Sequence, residues 1–201
     1  MSQERATRTR RGIVVAAAEL FDELGYEGAS TAGILARGGV TRGALYFHFP
    51  SKATLADAVI AAQQADLALP DTPLRLQAAL DVCRDHMRRL RSDVLLRAAL
   101  RLATERSTYR PPSDPQAALR RALERLFTEA GARGELLPTV EPRELTGVVL
   151  AVLTGLRLLG DGAAASGTPS SLAHAWRYLL PAVAMPGVLT HLVVATHDDV
   201  Q

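Results

Sequence analysis

Lysine is almost missing from this chain: among 23 basic residues, Lys52 is the single lysine and all the others are arginines. A bias of that kind follows codon composition, so the arginines as a class carry no functional reading. Cysteine occurs once, at Cys83, which excludes an internal disulfide and suits a reducing cytoplasm. Aromatic residues are only 4% of the chain, so a core has to be built from Ala, Leu and Val. Long apolar runs are absent. Val148 to Leu153 is among the longest, against the roughly 20 residues a membrane helix needs. The N-terminus is charged and then amphipathic, without the apolar stretch of a signal peptide, so the protein is expected in the cytoplasm with no membrane association. No P-loop, GxSxG, HExxH or paired-cysteine motif occurs, and the chain is read as not an enzyme. Cys83 and His86 share a helical face but have no third ligand nearby, so a buried thiol and a surface histidine are expected, with no metal and no cofactor. His174, His191 and His197 are scattered and suggest no site.

What the chain does have is helix-forming material. Apolar residues reach 48%, dominated by Ala and Leu, and no β-branched alternation appears. The expected fold class is all-α. Residues 1–52 hold seven basic groups (Arg5, Arg8, Arg10, Arg11, Arg37, Arg42, Lys52) against five acidic ones (Glu4, Glu19, Asp22, Glu23, Glu27). That excess of two equals the +2 of the whole chain, so the positive charge is concentrated at the N-terminal end. Four of the seven lie in the first eleven residues, which suits either an arm beside a phosphate backbone or a solvated terminus.

Apolar periodicity predicts a first helix from Glu4 or Thr7 to Leu24, with Ile13, Ala17, Leu20, Phe21 and Leu24 on one face and Gly25 as its stop. Further helices are predicted from Ser51, over 76–90, from Asp93, over 115–130, over 141–159 and around 172–183, with a short one within 187–197. Pro70 and Pro73 end the fourth helix. The prolines of 111–115 and the Gly131–Pro138 stretch are read as loops, and 160–169 as a connector of small residues.

The sharpest signal is STAGILARGGVTRGALYFHF, residues 30–49. Ser30 or Thr31 can cap a short helix that carries Ile34 and Leu35 inward. Gly38 and Gly39 permit a sharp turn, and Thr41 caps a second short helix. Ala44, Leu45 and Phe49 hold that helix to its neighbours, while Thr41, Arg42, Gly43 and Tyr46 face outward toward base edges and phosphates. Arg42 can pair bidentately with guanine or hold a phosphate, and Gly43 lets the backbone approach DNA closely. Thr31 is either a phosphate contact or a cap.

The flanks FDELGYEGAS and FHFPSKATL extend the pattern. Phe21, Gly25, Tyr26, Thr31, Ala36, Gly39, Val40, Gly43, Tyr46, His48, Phe49 and Lys52 fall at matching places, so residues 8–60 or thereabouts resemble the N-terminal domain of the Tet repressor (TetR) family of transcription regulators. Ala53 departs from it, since many relatives carry an acid there. The resemblance implies a three-helix DNA-binding domain over 1–52, a connecting helix over 51–66, and a ligand-binding and dimerisation domain over 67–201. It places His48 and Lys52 at phosphate contacts, with a structural cap as the other reading of His48. A lysine in the first turn of a helix opposes the macrodipole, which also suits an anionic partner.

Helices over 141–159 and 172–183 are apolar around more than one stripe. A second exposed stripe argues for a homodimer through a four-helix bundle, as the resemblance also implies, with Leu145, Val149, Val152, Leu156, Leu172 and Leu179 as interface residues; the other reading is that both stripes are internal to the subunit. A homodimer reads a palindromic double-stranded operator through two recognition helices. RAALRLATE (97–105), the following RPP and the late AWRYLL resemble the γ-butyrolactone receptor branch, which implies a small-molecule effector in a pocket of the second half. Met87, Leu100, Leu123, Phe127 and Trp176 are the candidates for its lining. That branch carries a tryptophan near the start of the seventh helix, where this chain reads DPQAALRRALERLF. A relative answering another diffusible signal, or an antibiotic intermediate, fits equally. So do a regulator of efflux or catabolic genes with an unrelated ligand, and an architectural DNA binder without one.

Overall fold

A computed structural model describes residues 2–63, 67–160 and 169–194. Among them run ten helices: α1 (Ser2–Gly28), α2 (Thr31–Gly38), α3 (Arg42–His48), α4 (Lys52–Ala61), α5 (Arg75–Ser92), α6 (Val94–Thr104), α7 (Ala117–Ala132), α8 (Pro142–Gly160), α9 (Pro169–Val183) and α10 (Pro186–Leu189). The described residues form no strand. A lone antiparallel bridge joins Leu136 to Ala184. The all-α expectation therefore stands. The connector after residue 160 lies outside the described residues, as does the end of the predicted last helix. No helix among those described is long and apolar enough to cross a membrane.

Two compact units arise, and they do not follow the expected division after residue 66. The first gathers 1–66 with 90–118, and the second gathers 67–89 with 119–201. In the first unit α1 packs against α2, α3, α4 and α6. Ile13, Ala17, Leu20 and Phe21 of α1 meet Ile34, Leu45, Leu55 and Val59, and Ala98, Ala99, Leu102 and Tyr109 complete this core. Each fully buried Leu, Ile or Phe contributes about 1.5–3 kcal/mol by leaving water. Polar links add to the packing. Arg97 Nε donates to Asp22 at 2.8 Å, and Arg101 donates to the Asp22 carbonyl. Helix α6 thus belongs with the N-terminal helices, because its apolar face matches theirs.

Gly25 interrupts α1 with φ 72° and ψ −179°, a left-handed φ that favours glycine. The first α-helical run therefore ends where the sequence predicted, although one more turn follows it to Gly28.

In the second unit, α5 presents Leu76, Leu80, Cys83 and Met87 to the interior, all buried. Glu135, expected in a loop, is itself buried and caps α5: its carboxylate accepts from the backbone of Arg75 (3.1 Å) and Leu76 (2.7 Å). That satisfies two of the N–H groups that every helix start leaves open. Helices α8 and α9 pack together, and α9 contacts α10.

His86 corrects one expectation. It is 8% exposed, not a surface residue, because it flanks the apolar stripe of α5. Burial lowers its pKa from 6.5 to about 4, Arg89 and Arg157 push the same way, and Asp85 opposes them. As pH falls below 6.5 the unfolded chain takes up a proton that the folded chain refuses. Stability should therefore drop across the window between 6.5 and 4, by roughly 3 kcal/mol at its end. Urea midpoints at pH 7.5 and pH 4.5 should fall further apart in the wild type than in His86→Gln, and equal gaps would refute the assignment. The Cys83 thiol is buried, which pushes its pKa up to about 12, so it stays a thiol. Among the described residues no cluster of metal-ligand type forms around this pair.

Candidate nucleic-acid interface

The surface is assembled from short-range rules first. Ser30 caps α2, accepting from Gly33 N at 3.0 Å, so of the two sequence candidates Ser30 is the cap and Thr31 is the first helical residue, half-buried. Helix α2 ends at Gly39 with φ 59°, where only glycine sits without strain. Gly38 has a different reason to be glycine: a Cβ there would come within 3.3 Å of Ala16 Cβ. Thr41 caps α3, accepting from Ala44 N at 3.2 Å. Ser51 caps α4 in a capping box with Thr54, each side chain accepting from the other's backbone at 3.1 Å.

These caps and the turn leave α3 anchored by Leu45 and Phe49, 1% and 3% exposed, with its other face open. Thr41, Arg42, Gly43 and Tyr46 are exposed together on that face. The Arg42 guanidinium lies 5.6 Å from the Tyr46 ring centroid, which orients it without using up its donors. A Cβ on Gly43 would meet nothing, so the fold itself does not demand glycine there. His48 is half-buried, edge-on to Phe47 at 5.1 Å.

Sequence reasoning missed Phe47, which is 82% exposed. It lies one turn after Gly43, and that spacing alone should have put it on the outward face. Arg5, Ala6 and Thr9 of α1 border the same groove as Gly43, Ala44, Phe47 and His48. The basic N-terminus is thus no loose arm. Arg5, Arg8, Arg10 and Arg11 stand on helix α1, and Arg10 lies over the Phe49 ring at 5.0 Å.

Two cations are engaged within the fold. Arg37 makes a two-pronged pair with Glu23, with Nη2 to Oε2 at 3.0 Å, and holds that carboxyl below the usual carboxylate range. Lys52 donates to the carbonyls of Tyr26 (2.8 Å) and Ala29 (3.1 Å), and its Nζ lies 4.3 Å from the Tyr26 ring centroid. Two of its three N–H groups are therefore directed at protein, leaving one for any phosphate.

The family model described as bacterial regulatory proteins, tetR family, matches residues 13–59, which span α1 to α4. The chain is 35% identical over 191 residues to the A-factor receptor protein of Streptomyces griseus, covering 94% of this chain and 69% of that protein. The chain belongs to the TetR family. It is a transcriptional regulator by that membership, not an enzyme. The crystal structure of full-length native TylP, a TetR regulator from Streptomyces fradiae, superimposes with a TM-score of 0.78 at 35% identity, covering 100% of this chain and 90% of that one. A crystal structure of a γ-butyrolactone receptor, an ArpA-like protein, gives a TM-score of 0.71 at 27% identity, covering 90% of this chain and 91% of that one.

The other expected site residues of this TetR-family chain divide. Met87, Leu123, Phe127 and Trp176 lie buried in the second unit, whereas Leu100 lies in the first. Of the expected dimer residues, Leu145, Val149 and Leu172 are 5%, 1% and 4% exposed within the single subunit, so a second chain has almost nothing of them left to cover. Val152, Leu156 and Leu179 remain half-buried. The open stripe of α8 is rotated away from the expected one and carries Val148, Ala151 and Leu159, with Gly155 half-buried beside them. Tyr178, 82% exposed, stands out on α9.

Proposed function

We propose that the chain is a ligand-responsive repressor that binds a palindromic operator as a homodimer and releases it when a small, mainly apolar molecule occupies the second unit. The observation that carries this reading is the open face of α3. Thr41, Arg42, Gly43, Tyr46 and Phe47 are exposed there together, and beyond the Thr41 cap and the ring contacts of Arg42 and Phe47 their outward faces stay open. Thr31, His48 and the third N–H of Lys52 would hold phosphates at its margins. The apolar stripe of Val148, Ala151, Val152, Gly155 and Leu159 would pair with its copy, its small residues allowing close approach. Cytoplasmic DNA is the target. Residues 1–52 read it, and the second unit, residues 67–89 with 119–201, serves ligand binding and pairing.

Effector binding is supported by likeness to the A-factor receptor protein and to a γ-butyrolactone receptor. It is also supported by Trp176, which is 2% exposed and whose Nε1 finds no acceptor among the described residues. A buried N–H without an acceptor is costly, so a ligand oxygen would be well received there. The covering tryptophan of the lactone branch has no counterpart in Asp114–Phe127, which favours a bulkier apolar signal over a simple γ-butyrolactone. The chain enters the first unit at Leu90 and leaves it at Ala118. A change in the second unit therefore acts covalently on both ends of the α6 segment.

Selection from random duplexes should return a palindrome. Arg42→Ala should weaken the selected site by roughly 1–3 kcal/mol and relax preference at one base if the pair with guanine is bidentate. A uniform loss over all sequences would make Arg42 a backbone contact. Release should then be titrated with a γ-butyrolactone panel and with larger apolar compounds, following Trp176 fluorescence. Release at nanomolar γ-butyrolactone would overturn the choice of a bulkier effector.

A further inference from the structure

We infer that Tyr26 is the junction through which the end of α6 sets the pose of the helix-turn-helix, with Glu105 and Tyr109 as positioning residues for operator binding. The inference rests on the operator reading above and adds the residues that transmit to it.

Tyr26 sits in the corner between α1 and α2, 8% exposed, and is held from two directions. From the α6 side, Glu105 accepts its backbone N–H. The Tyr109 ring stacks on its ring at 4.8 Å and 20°. From the α4 side, Lys52 takes its carbonyl and that of Ala29, as described, and covers its ring. One peptide corner therefore links the start of α4 to the segment following α6.

Three further contacts tighten this corner. The Tyr109 hydroxyl donates to Asp57 Oδ1 of α4 at 2.6 Å. Burial and that carboxylate push its pKa upward, so it remains a donor. Thr108 donates to Glu27 from its backbone at 2.7 Å and from its hydroxyl at 2.6 Å. Gly25 is fitted to the arrangement: besides its left-handed φ, a Cβ there would lie 2.3 Å from Glu105 Oε2. The carboxylate approaches the corner only because no side chain stands in its way.

The corner is placed to control direction. Ser30, the cap of α2, follows Ala29 directly, and α2 carries α3 through the Gly39 turn. A shift of residues 105–109 moves the 25–29 corner and so re-aims α3. None of Glu105, Thr108 or Tyr109 lies on the face of α3 that meets DNA, so their effect on affinity is indirect. If these contacts only stabilised the first unit, removing one would leave the operator affinity of the folded protein unchanged.

The experiment uses full-length protein and the palindrome selected by the wild type, at a temperature where circular dichroism shows every variant folded. Glu105→Ala and Tyr109→Phe should each weaken that palindrome by roughly tenfold, the loss of one charge-linked hydrogen bond. Binding to random duplex and the slope of log affinity against log salt should stay at wild-type values, since no phosphate contact is removed. Glu105→Gln, which keeps an acceptor for Tyr26 N–H, should recover most of the loss. Unchanged palindrome affinity in folded Glu105→Ala and Tyr109→Phe would overturn the junction while leaving the operator reading intact. So would an equal loss on random duplex, or no rescue by Glu105→Gln. A wild type that prefers no duplex would overturn both.

Discussion

Val148→Glu is expected to yield a folded monomer that has lost its operator. Val148 is 47% exposed on α8, so the subunit itself has no need to bury it. With its neighbours Ala151 and Leu159, also exposed, and the half-buried Val152 and Gly155, it would form the stripe proposed to meet a second chain. A carboxylate placed there has to be desolvated on pairing, twice by symmetry, and without a partner cation that costs several kcal/mol. Losing the dimer removes one of two recognition helices, whose spacing of about 34–36 Å is what reads a palindrome. The loss of linked binding should weaken the operator by on the order of 10²–10⁴-fold. Sedimentation and circular dichroism of the same sample check this. A variant that stays dimeric, or a monomer that keeps full affinity, would sink the assignment of this face.

One residue further along, the expected outcome reverses. Val149 is 1% exposed within its own subunit. Val149→Asp puts an unpaired charge into that interior, which costs about 3–5 kcal/mol, a large share of the roughly 5–15 kcal/mol that domains usually have in hand. The second unit should fail to fold, whatever the state of pairing. Trp176 is a convenient reporter, being the single tryptophan of the chain and 2% exposed in the same unit. Its emission should shift to the red and its near-ultraviolet dichroism should vanish. A soluble Val149→Asp protein with wild-type emission would show that α8 is turned differently from the arrangement described. The two variants together separate a pairing defect from a folding defect, which neither does alone.

That contrast also shows where sequence reading stops. Residues 145, 149, 152 and 156 do form an apolar stripe, but α8 is apolar on neighbouring stripes as well. Periodicity identifies stripes without naming the neighbour that covers each, and here the subunit's own interior covers Leu145 and Val149. The exposed Phe47 was legible from its spacing to Gly43, yet an aromatic residue draws the expectation of burial. His86 misled in the opposite sense, since a polar residue beside an apolar stripe was assigned to solvent although it lies inside.

By itself the sequence determined the helical class, the membership of the family and the local build of the helix-turn-helix. Ser51 and Thr41 as caps, Gly25 and Gly39 as left-handed stops, and Leu45 and Phe49 as anchors were all readable, because each depends on the torsions and hydrogen bonds of residues within about one turn. The tertiary structure alone decided which helix joins which core, and hence that α6 belongs with α1 and α4. It also decided that Arg37 is engaged by Glu23 and Lys52 by two carbonyls, and that Tyr26 is held by Glu105 from 79 residues away. These are long-range choices among chemically equivalent partners. A local pattern contains the side chains but not the distances between them, and only the packed chain brings one particular acceptor within reach of each donor.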